Sequence, residues 1–141
     1  MSDTWRPEEA DLVGRAHELE IAVRRPDGTL RRWTPIWVVT VDGQVHVRSW
    51  YRRSTGWFGH AVAGRRARVR VPGLEAEVDV VDIGGGGVDG GDVTSADGGA
   101  AAGKVQARVD DAYRAKYGAQ GAASMVTPEA AATTLRLDPV R

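Results

Sequence analysis

Thirteen consecutive residues, Arg48 to His60 (RSWYRRSTGWFGH), set Arg48, Arg52 and Arg53 among Trp50, Tyr51, Trp57 and Phe58. Ser49, Ser54 and His60 complete the polar set. A buried core takes the rings and rejects unpaired guanidiniums, while a solvated loop does the reverse. A flat, anionic ligand uses both. Guanidiniums and hydroxyls grip an anion through charge-assisted hydrogen bonds, and indole rings offer flat apolar walls.

Something must hold these groups in place. The runs TPIWVVTV (34–41) and QVHVRSW (44–50) flank Asp42-Gly43, the strongest short-range signal for a β-hairpin. Counting outward from that turn sets Val41 opposite Gln44, Val39 opposite His46, Trp37 opposite Arg48 and Pro35 opposite Trp50. Side chains alternate between faces. One face then carries Ile36, Val38, Thr40, Val45, Val47 and Ser49 and reads as core. The other carries Trp37, His46, Arg48 and Trp50 and reads as an open face with a cation–π contact between Arg48 and Trp37.

A second hairpin, 65–71 and 74–83 around Pro72-Gly73, places Arg70, Arg68 and Arg66 opposite Glu75, Glu77 and Asp79. These arginines form a solvated salt-bridge ladder, not a nucleic-acid surface. Helices are expected over 7–17, 56–64 and 104–118. The last has Val105, Val109, Ala112, Tyr113 and Lys116 on one stripe. Strands are expected over 18–25 and 130–140. The low-complexity run 84–103 reads as a flexible Gly-rich insertion in a single domain spanning 1–141. The sum is a mainly β (α+β) chain, a six-stranded split β-barrel with two or three peripheral helices.

Several tempting motifs fail on context. GGGVDG (85–90) follows a strand but opens no helix, as a dinucleotide fingerprint must. GGAAAGKV (98–105) has Val105 where a P-loop needs a Ser or Thr for magnesium. Asp89, Asp92 and Asp97 lack a terminal Glu, and His17, His46 and His60 have no metal-ligand spacing. The chain has no cysteine, and its 19 basic and 19 acidic residues balance to a formal charge of zero. That balance argues against nucleic acid and anionic membranes as partners. The polar start MSDTWRPEEAD and the lack of a long apolar run lead to the expectation of a soluble, cytoplasmic protein.

Together, TPIWVV, DGQVHVRSWYRRSTGWFGHAVAG, DDAYRAKYG and ATTLRL resemble the uncharacterised family DUF2255, from about residue 8 to 138 outside the Gly-rich run. That family is similar to the flavin-binding split barrels, the pyridoxamine-phosphate-oxidase-like proteins and deazaflavin-dependent reductases. The resemblance implies a cofactor phosphate gripped by an Arg-Ser/Thr pair, a following basic segment and a downstream Lys, in a groove between two subunits. Arg48 and Ser49 match the pair, and Arg52, Arg53 and Ser54 fall in the basic segment. Gly56 and Trp57 stand where the Lys is expected. The resemblance therefore implies a homodimer with FMN or a deazaflavin as cofactor. Its candidate site residues are Arg48, Ser49, Arg52, Arg53 and Ser54, to which the residues themselves add Trp37, His46 and Trp50 from the hairpin face and Trp57 as a flat apolar wall. Two other readings stand beside the oxidoreductase. One is a cofactor-free enzyme (isomerase, cyclase or lyase type) or binder, holding an aromatic small molecule in the same groove. The other is a structural or regulatory dimer without a ligand.

Overall fold

The computed structural model describes residues 4–49, 56–84 and 96–140. In chain order the elements are α1 (Pro7–Arg15), β1 (Leu19–Val23), β2 (Thr34–Ile36), β3 (Val38–Val41), β4 (Gln44–Val47), α2 (Gly56–Gly64), β5 (Arg66–Val71), β6 (Leu74–Asp82), α3 (Ala96–Tyr117), α4 (Pro128–Ala131) and β7 (Leu135–Pro139). A 3-10 turn, Ala123–Met125, precedes α4.

The strands form one antiparallel sheet in the order β2-β1-β5-β6-β7-β4-β3, curled almost into a barrel. Seven strands stand where six are expected, because the run 34–41 changes partner at Trp37. Before it, Ile36 pairs with Leu19 and Pro35 with Glu20 on β1. After it, Val38 pairs with Val47 on β4. One continuous stretch thus supplies both edges of the sheet. Pro35 suits the edge it occupies, since it has no N–H to donate. The expected pairing of Pro35 with Trp50 is corrected by this switch, and the ladder opposite β4 ends before it reaches Trp37 and Arg48.

The nearer part of that hairpin keeps its expected register, Val41 with Gln44 and Val39 with His46. Asp42 (φ 54°) and Gly43 (φ 77°) are both left-handed, as a two-residue type I′ turn demands. A Cβ at Gly43 would meet nothing within 4 Å. Gly43→Val should therefore cost about 1–2 kcal/mol through backbone strain alone, read as a lower urea midpoint with an unchanged slope.

The main core lies inside the barrel. Leu19, Ile21, Val45, Val47, Val69, Val78, Leu135 and Leu137 converge there, closed by Val13 of α1 and Phe58 of α2. Trp5 joins them, and its indole N–H donates to the Leu137 carbonyl at 2.8 Å. The second hairpin has the expected register, Arg70 with Glu75, Arg68 with Glu77 and Arg66 with Asp79. Its charges spread further than a two-strand ladder. Arg70 reaches Glu20 on β1 at 2.7 Å, because β1 flanks β5 on the other side, and its guanidinium lies 4.0 Å over the Trp33 ring.

The largest departure concerns the second hairpin face. It is not open. Val39, Val109, Tyr113, Ala122 and Met125 form a second core there, flanked by Trp37, Val41, Val105 and Tyr117. α3 supplies its lid, and the stripe expected on that helix is the face it buries, with Val109 and Tyr113 fully enclosed. The helix begins at Ala96, inside the run assigned to the insertion. The GGAAAGKV motif accordingly lies within a helix rather than in a phosphate-binding loop. Gly84, the first residue of the same run, packs so tightly that a Cβ would sit 2.3 Å from the Ala132 carbonyl oxygen. Residues 85–95, with the GGGVDG motif, lie outside the described residues.

Candidate ligand-binding site

The seam where Trp37 passes between the two sheet edges opens onto a cavity of about 670 Å³. Its apolar walls come from Pro35, Ile36, Trp37, Trp57 and Met125, and its polar ones from Glu18, Thr34, Arg48, Ser49 and Ser124. Two indoles contribute to it, and each is held by other rings. Trp37 stacks on Tyr117 with centroids 4.0 Å apart and planes 5° from parallel. Tyr117 is anchored in turn, donating to the His17 carbonyl at 2.6 Å and accepting from the Val38 N–H at 3.1 Å. Trp57 sits edge-on to the buried Phe58, with centroids 5.7 Å apart. Adjacent positions on α2 point to different faces, so Phe58 enters the core and Trp57 reaches the cavity. Rigid, half-buried indoles around such a volume suit a planar organic molecule.

Arg48 borders this cavity but is only 1 % exposed. All five of its N–H groups are engaged. Nε donates to Thr134 Oγ1 at 2.9 Å. Nη1 donates to Asp110 Oδ1 at 2.5 Å and to the Met125 carbonyl at 2.6 Å. Nη2 donates to Gln106 Oε1 at 2.7 Å and to the Gln106 carbonyl at 3.3 Å. The guanidinium also lies 5.7 Å from the centroid of the Tyr113 ring, which replaces the expected contact with Trp37. Arg48 thus ties β4 to α3, the 3-10 turn and the start of β7. An arginine so occupied has no N–H left for a ligand anion.

Ser49 remains at the cavity wall, its backbone held by Thr133 Oγ1, which accepts from the Ser49 N–H and donates to its carbonyl, both at 2.9 Å. His46 does not line the cavity. It is 2 % exposed and paired in register with Arg136 of β7. Burial pushes its pKa down to about 4, with the Arg136 and Arg48 charges acting in the same direction and the Gln44 backbone and Asp138 opposing. Trp50, Arg52, Arg53 and Ser54 lie outside the described residues. The face expected to be open carries instead the packed Trp37–Tyr117 pair under α3.

Beside the cavity, Lys116 donates to the Val38 carbonyl at 2.6 Å, and burial brings its pKa down to about 8. Asp110, Gln106, Thr134 and Met125, the partners of Arg48, were not identifiable as such. They come from three separate stretches of chain, and no local spacing marks them.

The family model described as "Uncharacterized protein conserved in bacteria (DUF2255)" matches residues 9–137. The chain belongs to DUF2255. No curated protein matches it. Among solved structures, this DUF2255 chain is similar to a conserved hypothetical protein from Mycobacterium tuberculosis, with 14% identity over 99% of this chain and 81% of that one, at a TM-score of 0.55. It is also similar to a FAD-binding protein from Mesorhizobium loti, with 12% identity over 100% and 94% of the two chains and a TM-score of 0.51. A structure named F420 reductase aligns at 17% identity over 92% and 90%, with a TM-score of 0.41. At these identities the first two likenesses are likenesses of fold. The DUF2255 chain has the split-barrel architecture expected from its hairpins. No described helix is long and apolar enough to cross a membrane.

Proposed function

We propose that the cavity at the barrel seam binds a planar small molecule, with a flavin or deazaflavin as the leading candidate. The observation that carries this reading is the pair of braced indoles, Trp37 and Trp57, bordering one cavity of about 670 Å³. The fold shared with a protein described as FAD-binding supports it. The residues present fit the ring system of such a group. Trp37, Trp57, Ile36 and Met125 offer flat and apolar contacts, and Ser49, Ser124 and Thr34 offer hydroxyls to its polar edge. A bound flavin would supply hydride transfer, while the chain's own residues bind, orient and exclude water. Arg52, Arg53 and Ser54 belong to this proposal through the family resemblance, and Trp50 as a further apolar wall. So do assembly as a homodimer, which sedimentation at two concentrations tests, and a cytoplasmic location.

A second reading is favoured by one observation, the full engagement of Arg48 within the protein. Without that arginine as phosphate grip, the same cavity suits an aromatic substrate in a cofactor-free enzyme or binder. Titration of the protein with FMN, FAD and a deazaflavin, followed by tryptophan fluorescence, separates the two. The flavin reading expects saturable quenching by at least one of them. Trp57→Ala should weaken that binding about tenfold, the scale of a lost aromatic stack plus its buried area. Absence of binding by all three rejects the flavin and leaves the aromatic substrate.

A further inference from the structure

Next to the first cavity lies a second, of about 460 Å³, and the two share Thr34, Gly56 and Trp57 in their walls. Among the described residues its remaining polar lining is basic, Arg25, Arg31, Arg32 and His60, with no carboxylate. This is unusual for a chain whose formal charges cancel. On the neighbouring strands the arginines are neutralised. Arg24 holds Glu77 at 2.7 Å, Arg66 holds Asp79 at 2.9 Å, and Arg70 holds Glu20 at 2.7 Å. The arginines of the cavity form no ion pair among the described residues. Among the described residues Arg25 donates to Thr29 Oγ1 and the Leu30 carbonyl, with the Asp27 carboxylate close enough to interact through its charge but forming no ion pair. The Nε of Arg31 is buried and has no hydrogen-bond partner among the described residues. Arg32 is exposed and forms no ion pair among the described residues.

A buried guanidinium N–H without an acceptor is costly, and more so because the group is charged. An oxyanion in the cavity compensates that charge, neutralises a cluster of basic groups and matches the planar fork of guanidinium donors. Trp57 stands at the junction, so a ligand whose flat part lies in the first cavity would pass its charged end around this indole into the second. We propose that the second cavity is an oxyanion subsite, built on Arg31 with Arg25 and Arg32, which takes the terminal phosphate of the ligand bound at the seam. The link to the larger cavity rests on the planar-ligand reading above, whereas the anion site stands on its own lining. In this arrangement the loop between β1 and β2 carries the phosphate grip that Arg48 does not provide.

The test has two arms. Pyrophosphate is titrated by calorimetry, at constant ionic strength, into the wild type, Arg31→Gln and Arg32→Gln, each checked for an unchanged melting temperature. Saturable binding to the wild type, weakened at least tenfold in Arg31→Gln, is expected. Arg32→Gln, at an exposed position, keeps the test valid should Arg31→Gln fail to fold, and should weaken binding at least threefold. No binding to the wild type, or equal binding to the folded variants, overturns the subsite. The second arm compares FMN with riboflavin, which differ by the phosphate alone. FMN should bind the wild type at least tenfold more tightly, and Arg31→Gln should erase that gap while leaving riboflavin unaffected. A gap that persists in Arg31→Gln overturns the link between the cavities. If pyrophosphate binds and neither flavin does, the oxyanion subsite stands and the flavin reading falls.

Discussion

Arg48→Ala should lower the stability of the domain by about 3–5 kcal/mol, the usual consequence of removing one partner from a buried ion pair. In a domain of this size that corresponds to a fall in melting temperature of roughly 10 °C or more. The reason is the number of groups left behind. Asp110 loses its counter-charge, and Thr134, Gln106 and the Met125 carbonyl lose the donor that each of them faces. Lysine is no substitute, because three donors on a flexible stem cannot fill a five-donor fork. Arg48→Lys should therefore recover only a minor part of the loss. Arg68→Ala is the contrast. Its partner Glu75 is exposed, and the half-buried Glu77 keeps Arg24 as its counter-charge, so the loss should stay under about 1 kcal/mol. Scanning calorimetry on the three variants checks the order. A drop for Arg48→Ala no larger than that for Arg68→Ala would show that the cluster around the guanidinium contributes nothing to the fold.

Acid should weaken the protein over a window that His46 sets. Its pKa is about 4 in the folded chain against an ordinary 6.5. Between those values the unfolded chain takes up a proton that the folded chain refuses, so stability rises with pH. The contribution is fully present above about pH 6.5 and falls by about 1.4 kcal/mol per unit as the pH drops, to a total of roughly 3 kcal/mol near pH 4. Below that both states are protonated and this loss stops growing. Urea unfolding measured from pH 7.5 to 4 should show the slope. His46→Gln, which does not titrate, should flatten it and leave the carboxylate-driven loss at lower pH. The same slope in wild type and variant would assign it to other groups.

Much of the fold was legible because its signals are local. Asp42-Gly43 and Pro72-Gly73 fix two hairpins and their registers, and the stripe of Val109 and Tyr113 marks the buried face of α3. What the sequence did not disclose are decisions taken across long separations. Alternation along 34–41 is the same whether the strand keeps one partner or changes it, so nothing in TPIWVVTV announces the break at Trp37. The hairpin face carrying His46 and Arg48 looked open because its cover, α3, lies some sixty residues further on, with 62 positions separating Arg48 from Asp110. Composition suggested that an arginine beside tryptophans meets a ligand. Burial shows that this one meets carbonyls, hydroxyls and a carboxylate of its own chain. The adjacency of Trp57 and Phe58 was easier to read, since it forces one ring outward from the core whatever covers the sheet.

The position of β7 has a consequence for the order in which the molecule assembles. The final strand is an interior one, bonded to β6 on one side and β4 on the other. Any partly folded chain in which Leu135–Pro139 has not yet docked consists of two separate ribbons, β2-β1-β5-β6 and β3-β4, each ending in a row of unsatisfied backbone groups. The docking step seals both rows at once and brings Leu137 to the Trp5 indole, 132 positions away in the chain. Contacts of such long range are slow to form, and bare strand edges recruit other chains while they wait. Refolding should thus be a contest between insertion of this one strand and pairing with a neighbour, with its yield falling steeply as the protein concentration rises.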